Sequence, residues 1–95
     1  MSDTATPIVH VDNDKTRVTE WRFAPGAATG WHRHEYPYVI TPVTDGQVRI
    51  VGPDGAENTA QMVAGQSYYR EAGVEHDVIN AGPGELRFVE VEWKL

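Results

Sequence analysis

The stretch GWHRHEYPYVITPVTDG, residues 30–46, places two histidines, His32 and His34, two positions apart among aromatic and β-branched residues. That composition predicts a strand. Side chains at i and i+2 of a strand share a face, so the two imidazoles should project together, about 6–7 Å apart. Neutral imidazole is the commonest metal ligand in proteins. Two on one strand face supply half a site, and a third ligand must come from elsewhere. The chain has four histidines, His10, His32, His34 and His76. His76 is the only other one within a strand-like run, GVEHDVIN. His10, in IVHV, reads as a structural residue on a first strand that pairs with RVTEWRF or with a partner chain.

Outward from this stretch, turn signals recur at short intervals: DNDK at 12–15, PG at 25–26, DG at 45–46, GPDG at 52–55, AG at 64–65 and 72–73, and AGPG at 81–84. Many short strands between such turns predict an all-β sandwich or barrel. No stretch has the apolar spacing of a capped helix; ENTAQMVAG has room for one short helical turn. In RVTEWRF, Thr19, Trp21 and Phe23 alternate against Val18, Glu20 and Arg22. In LRFVEVEW, Val89, Val91 and Trp93 share one face and Glu90 and Glu92 the other. Both patterns fit half-buried antiparallel strands, apolar face inward. QVRIVGPDGAENTA reads as a hairpin turning at Pro53-Asp54, and Pro42 implies an edge or bulge in YVITPV. Residues 1–6 are expected to be disordered.

Ninety-five residues make one domain with a small core. The net charge is −6 and no Lys/Arg cluster occurs, which argues against nucleic-acid or anionic-membrane partners. The absence of cysteine excludes disulfides and thiolate metal sites. No apolar run is long enough to span a bilayer, and the N-terminus lacks the pattern of a secretory signal, so the expected location is the cytoplasm.

The spacing around the histidines carries a further reading. From Gly26 the chain runs five residues to His32, one to His34, four to Val39 and six to Gly46. From Gly65 it runs five residues to Glu71, one to Gly73, two to His76 and three to Asn80. This closely resembles the two signature motifs of the cupin family, G-x5-H-x-H-x3,4-E-x6-G and G-x5-P-x-G-x2-H-x3-N. Gly26, His32, His34 and Gly46 match the first; Gly65, Gly73, His76 and Asn80 match the second. The resemblance implies one cupin domain over residues 1–95, a jelly-roll antiparallel β-barrel, with His32, His34 and His76 converging on one divalent transition metal. Gly26 and Gly46 are expected in turns that need a permissive backbone.

Two positions depart from the motifs. Glu71 replaces the second-motif Pro, and Val39 stands where the first motif has its ligating Glu. Tyr38 should point away from the side that Val39 faces. Glu35 reaches the site only if the His-Arg-His-Glu turn bends it inward. A three-histidine site leaves the full +2 charge and open coordination positions, which suit a small anionic chelating substrate. Loss of the Glu resembles the three-histidine cupin dioxygenases, which use Fe(II) on thiols or β-diketones. The expected function is therefore a mononuclear non-haem iron dioxygenase. The alternatives are a non-catalytic cupin that binds a metal and a small ligand, as sensor or carrier, and a metal-free scaffold. Ni, Zn, Cu or Mn are expected to compete for the site during purification. Trp31, Tyr36, Tyr38, Tyr68, Tyr69 and Trp93 lie close to the motifs or on a core strand. One tyrosine hydroxyl, or Arg49, is a candidate to orient a bound anion, and Glu75 and Asp77 flank His76. The resemblance and the small size also imply a homodimer.

Overall fold

The structure, a computed structural model, describes residues 3–94. Nine strands follow one another: β1 (Thr6–Asp12), β2 (Thr16–Phe23), β3 (His32–Arg33), β4 (Tyr38–Pro42), β5 (Gly46–Val51), β6 (Glu57–Met62), β7 (Tyr68–Arg70), β8 (Glu75–Asn80) and β9 (Leu86–Trp93). They form a five-stranded sheet in the order β1-β2-β9-β4-β7 and a four-stranded sheet in the order β3-β8-β5-β6. Every pairing between these strands is antiparallel. The two sheets pack as the expected all-β jelly roll. The segment ENTAQMVAG holds β6 rather than a helical turn, because β5 pairs with it from Gly46↔Met62 to Val51↔Glu57 across the predicted turn.

The core fills one end of the space between the sheets. Phe23, Leu86 and Phe88 from the larger sheet meet Val48 and Met62 from the smaller one. Phe23 and Phe88 pack with their ring centroids 5.3 Å apart and their planes tilted by 36°. Gly46 opens β5 with an ordinary backbone, so the expected need for a permissive conformation there is not what is found. Its constraint is space: a Cβ would lie 2.7 Å from Leu86 Cδ1. Asn80 fastens this end. Its Nδ2 donates to the carbonyls of Phe23, Ala24 and Gly84, at 3.2, 3.3 and 2.8 Å, and its Oδ1 accepts from Gly82 N at 3.0 Å.

Two further expectations need correction. The start of the described chain is anchored: Thr4 bridges to Ala28, and Ala5 N donates to Ala28 O at 2.8 Å. Met1 and Ser2 lie outside the described residues. In β9 the alternation is as read, but its polarity is inverted. Leu86, Phe88, Glu90 and Glu92 face inward, and Val89, Val91 and Trp93 face outward. Leu86 and Phe88 set the parity, because their larger side chains fill the core, and the period of two then carries Glu90 and Glu92 inside.

Candidate metal centre

The far end of the barrel holds the histidines. Strand β3 is two residues long, and His32 lies directly opposite His76 of β8. His34 sits just beyond β3 but keeps the pairing: its N donates to Val74 O at 2.9 Å, and Gly73 N donates to its carbonyl at 2.8 Å. Gly73 makes this return at φ +97°, a conformation open to glycine. A second fastening runs through Asp77, whose Oδ1 accepts from Gly30 N at 3.1 Å. The Gly30 carbonyl in turn accepts from His32 Nδ1 at 2.9 Å, which leaves the Nε2 lone pair free.

The three Nε2 atoms converge. His34 Nε2 lies 3.0 Å from His32 Nε2 and 3.2 Å from His76 Nε2. Nitrogens bound to one ion at about 2.1 Å lie about 3.0 Å apart at right angles and about 3.4 Å apart at tetrahedral angles. The observed spacing falls in that range. Burial pushes the His34 imidazole down to about 4, helped by the charges of His32 and Arg17. Burial likewise pushes His76 down to about 3, with His32, His34 and Arg70 adding to it. Both rings are therefore neutral at neutral pH with lone pairs to donate. The donor set fits a divalent transition metal. Among the described residues no carboxylate joins the three nitrogens. Glu35 is exposed and lines the same cavity, but it is not among the clustered ligand atoms.

Tyr38, not Val39, occupies the inward position of β4. Its ring is 2% exposed and stacks on His34 at 3.9 Å with 19° between planes. Val39 faces outward, opposite Tyr69 and Val91. Register assigns the rest of the wall. One cross-strand row on the large sheet reads Arg17, Glu92, Tyr38, Arg70; the next, deeper, reads Thr19, Glu90, Ile40, Tyr68. Apart from Thr19, these rows and the histidines line a cavity of about 790 Å³. Arg17 clamps Glu92 with Nε at 2.8 Å and Nη2 at 3.0 Å, one to each oxygen. Among the described residues Glu90 has no such partner. Burial, then the Glu92 charge, pushes it up to about 7, with the Trp21 indole and Arg17 opposing.

Of the aromatic residues singled out from sequence, Tyr38 and Tyr68 line the cavity, while Trp31 and Tyr69 are exposed. Arg49 is also outside: it pairs with Glu57 at 3.1 Å on the surface. The cavity arginines are Arg17, Arg33 and Arg70. Neither they nor Glu90 and Glu92 were found by sequence reasoning. The parity of Leu86 and Phe88 was the available signal for the two glutamates.

The family model for the cupin domain matches residues 19–92. The chain is a cupin. Beta-alanine degradation protein BauB of Pseudomonas aeruginosa is 57% identical over 90 residues, covering 95% of this chain and 94% of that protein. The crystal structure of a cupin domain from Bordetella pertussis superposes with a TM-score of 0.95 at 47% identity, over 100% of this cupin and 98% of that chain. A protein with a double-stranded β-helix domain from Klebsiella pneumoniae shares the fold, with a TM-score of 0.78 at 22% identity over 96% of this chain and 77% of its own. No helix of this cupin is long and apolar enough to cross a membrane among the described residues.

Proposed function

We propose that this cupin binds one divalent metal through His32, His34 and His76 and acts on a small anionic chelating substrate, with Fe(II)-dependent dioxygenation as its reaction. The convergence of three imidazole nitrogens, with no carboxylate joining them among the described residues, carries this reading. Fe(II) bound by such a set would supply dioxygen activation.

The protein's own groups select the substrate. Three neutral ligands leave the ion's charge uncancelled, which favours an anion. Arg70 adds a cation at the cavity wall. Its guanidinium lies 5.5 Å from the Tyr68 ring centroid, and among the described residues no carboxylate pairs with it. Below, Ile40, Ile50, Val78 and Phe88 make an apolar floor that limits water. Small carboxylates fit this charge pattern. The name of the Pseudomonas relative, which concerns the degradation of β-alanine, points to the same chemical class.

The test is oxygen uptake. The metal-free protein is loaded anaerobically with Fe(II), then mixed with dioxygen and a panel of thiols, β-diketones and small carboxylates including β-alanine. Uptake that matches substrate loss for one class supports the proposal. Tight binding of panel members without any oxygen consumption would assign the protein to the carriers or sensors.

A further inference from the structure

Each metal-bound histidine needs something to hold its second nitrogen, because that contact sets the tautomer and the ring's rotation. His32 has the Gly30 carbonyl. His34, the most buried of the three, has no backbone carbonyl on Nδ1 among the described residues. The group facing His34 Nδ1 is Glu90, with Oε2 at 3.8 Å, a small side-chain rotation from a hydrogen bond. Stacking on Tyr38 fixes the plane of the His34 ring but not which nitrogen faces the cluster.

Glu90 is also a cost to folding, which the Trp21 indole offsets only in part. It is 7% exposed and sits in the row between Thr19 and Ile40. No lysine or arginine pairs with it among the described residues. An apolar side chain there would avoid burying a carboxyl group without a cationic partner. Glu92, one pleat away, has both oxygens occupied by Arg17. That removes the cluster of His34, Glu90 and Glu92 as a second metal site, although the three lie close together. Glu90 is equally unsuited to be a fourth ligand. Nδ1 and Nε2 point away from each other across the imidazole, and Glu90 lies on the Nδ1 side while the other histidines lie on the Nε2 side.

We propose that Glu90 is the positioning residue of the metal centre: its carboxyl accepts from His34 Nδ1–H and holds Nε2 toward the ion. This rests on the three-histidine reading above and supplies its missing support. The carboxylate comes from the last strand of the domain, and its place is set by the pairing of β9 with β2 and β4.

Zinc titration against a chromogenic chelator tests the proposal, using metal-free wild type, Glu90→Gln, Glu90→Asp, Glu90→Leu and His34→Ala. Glu90→Leu should lose about 10–100-fold in zinc affinity, the scale for removing such a support. Glu90→Gln should stay within about threefold of wild type, because its amide oxygen accepts the same bond. Glu90→Asp keeps the charge but withdraws the oxygens by about 1.5 Å, so its affinity should also fall. It serves if the leucine variant fails to fold. In the zinc-loaded protein, the His34 Nδ1–H resonance should be protected from exchange in wild type and Glu90→Gln and lost in Glu90→Asp. Wild-type affinity in Glu90→Asp or Glu90→Leu, with binding lost in His34→Ala, overturns the role of Glu90 and leaves the metal reading standing. Failure of wild type to take up zinc overturns both.

Discussion

A carboxylate placed at residue 39 should do nothing to the metal centre, and one placed at residue 38 should reach it at a high cost in stability. Motif spacing puts the missing ligand at Val39, but β4 turns Val39 outward against Tyr69 and Val91 and turns Tyr38 onto His34. Val39→Glu therefore exchanges a half-buried outer side chain and loses cross-strand contacts worth about 0.5–1 kcal/mol. Tyr38→Glu removes a ring that is 2% exposed and packed in the core cluster. Losses of that kind run to about 3–5 kcal/mol. For a domain of this size the whole stability is about 5–14 kcal/mol, so melting should fall by more than 10 °C, at about 4–8 °C per kcal/mol. Thermal melts and zinc titrations of both variants form the assay. Val39→Glu should melt within a few degrees of wild type and bind zinc with the same affinity. A tenfold or greater gain in zinc affinity in Val39→Glu, about 1.4 kcal/mol, would mean that residue 39 faces the ion and that the strand register described here is wrong.

Replacing His76 with alanine should abolish stoichiometric metal binding, as metal analysis after dialysis will show; a full equivalent retained would remove His76 from the ligand set. Arg17→Met should destabilise the protein by about 2 kcal/mol, because Glu92 keeps a buried charge; the figure is reduced from the fully buried case since Arg17 is partly exposed. Adding Glu92→Leu to that variant should recover most of the loss in a chemical denaturation series. Asn80→Ala should cost about 2–3 kcal/mol, since it strips partners from carbonyls at the closed end of the barrel. Gly46→Ala should cost about 1–3 kcal/mol by pushing on the Leu86 side chain, which is 1% exposed; equal midpoints for wild type and variant would show that the contact relaxes freely.

The sequence by itself determined the family, the all-β architecture and the three histidines. Those features are local or spaced: turn residues announce themselves one by one, and the motif distances from Gly26 to Asn80 are countable along the chain. Parity within a strand was legible too, in RVTEWRF and in LRFVEVEW. Which parity faces inward was not. It depends on what the opposite sheet offers, and only the pairing of β9 between β2 and β4 shows that Leu86 and Phe88 take the core and carry Glu90 and Glu92 with them. The same dependence made Val39, rather than Tyr38, look like the residue beside the metal. Arg17, Arg70 and Glu90 are far apart in the chain and carry no motif, so their meeting around the histidines is decided by strand register, where a shift of one residue moves a side chain from solvent to the cavity.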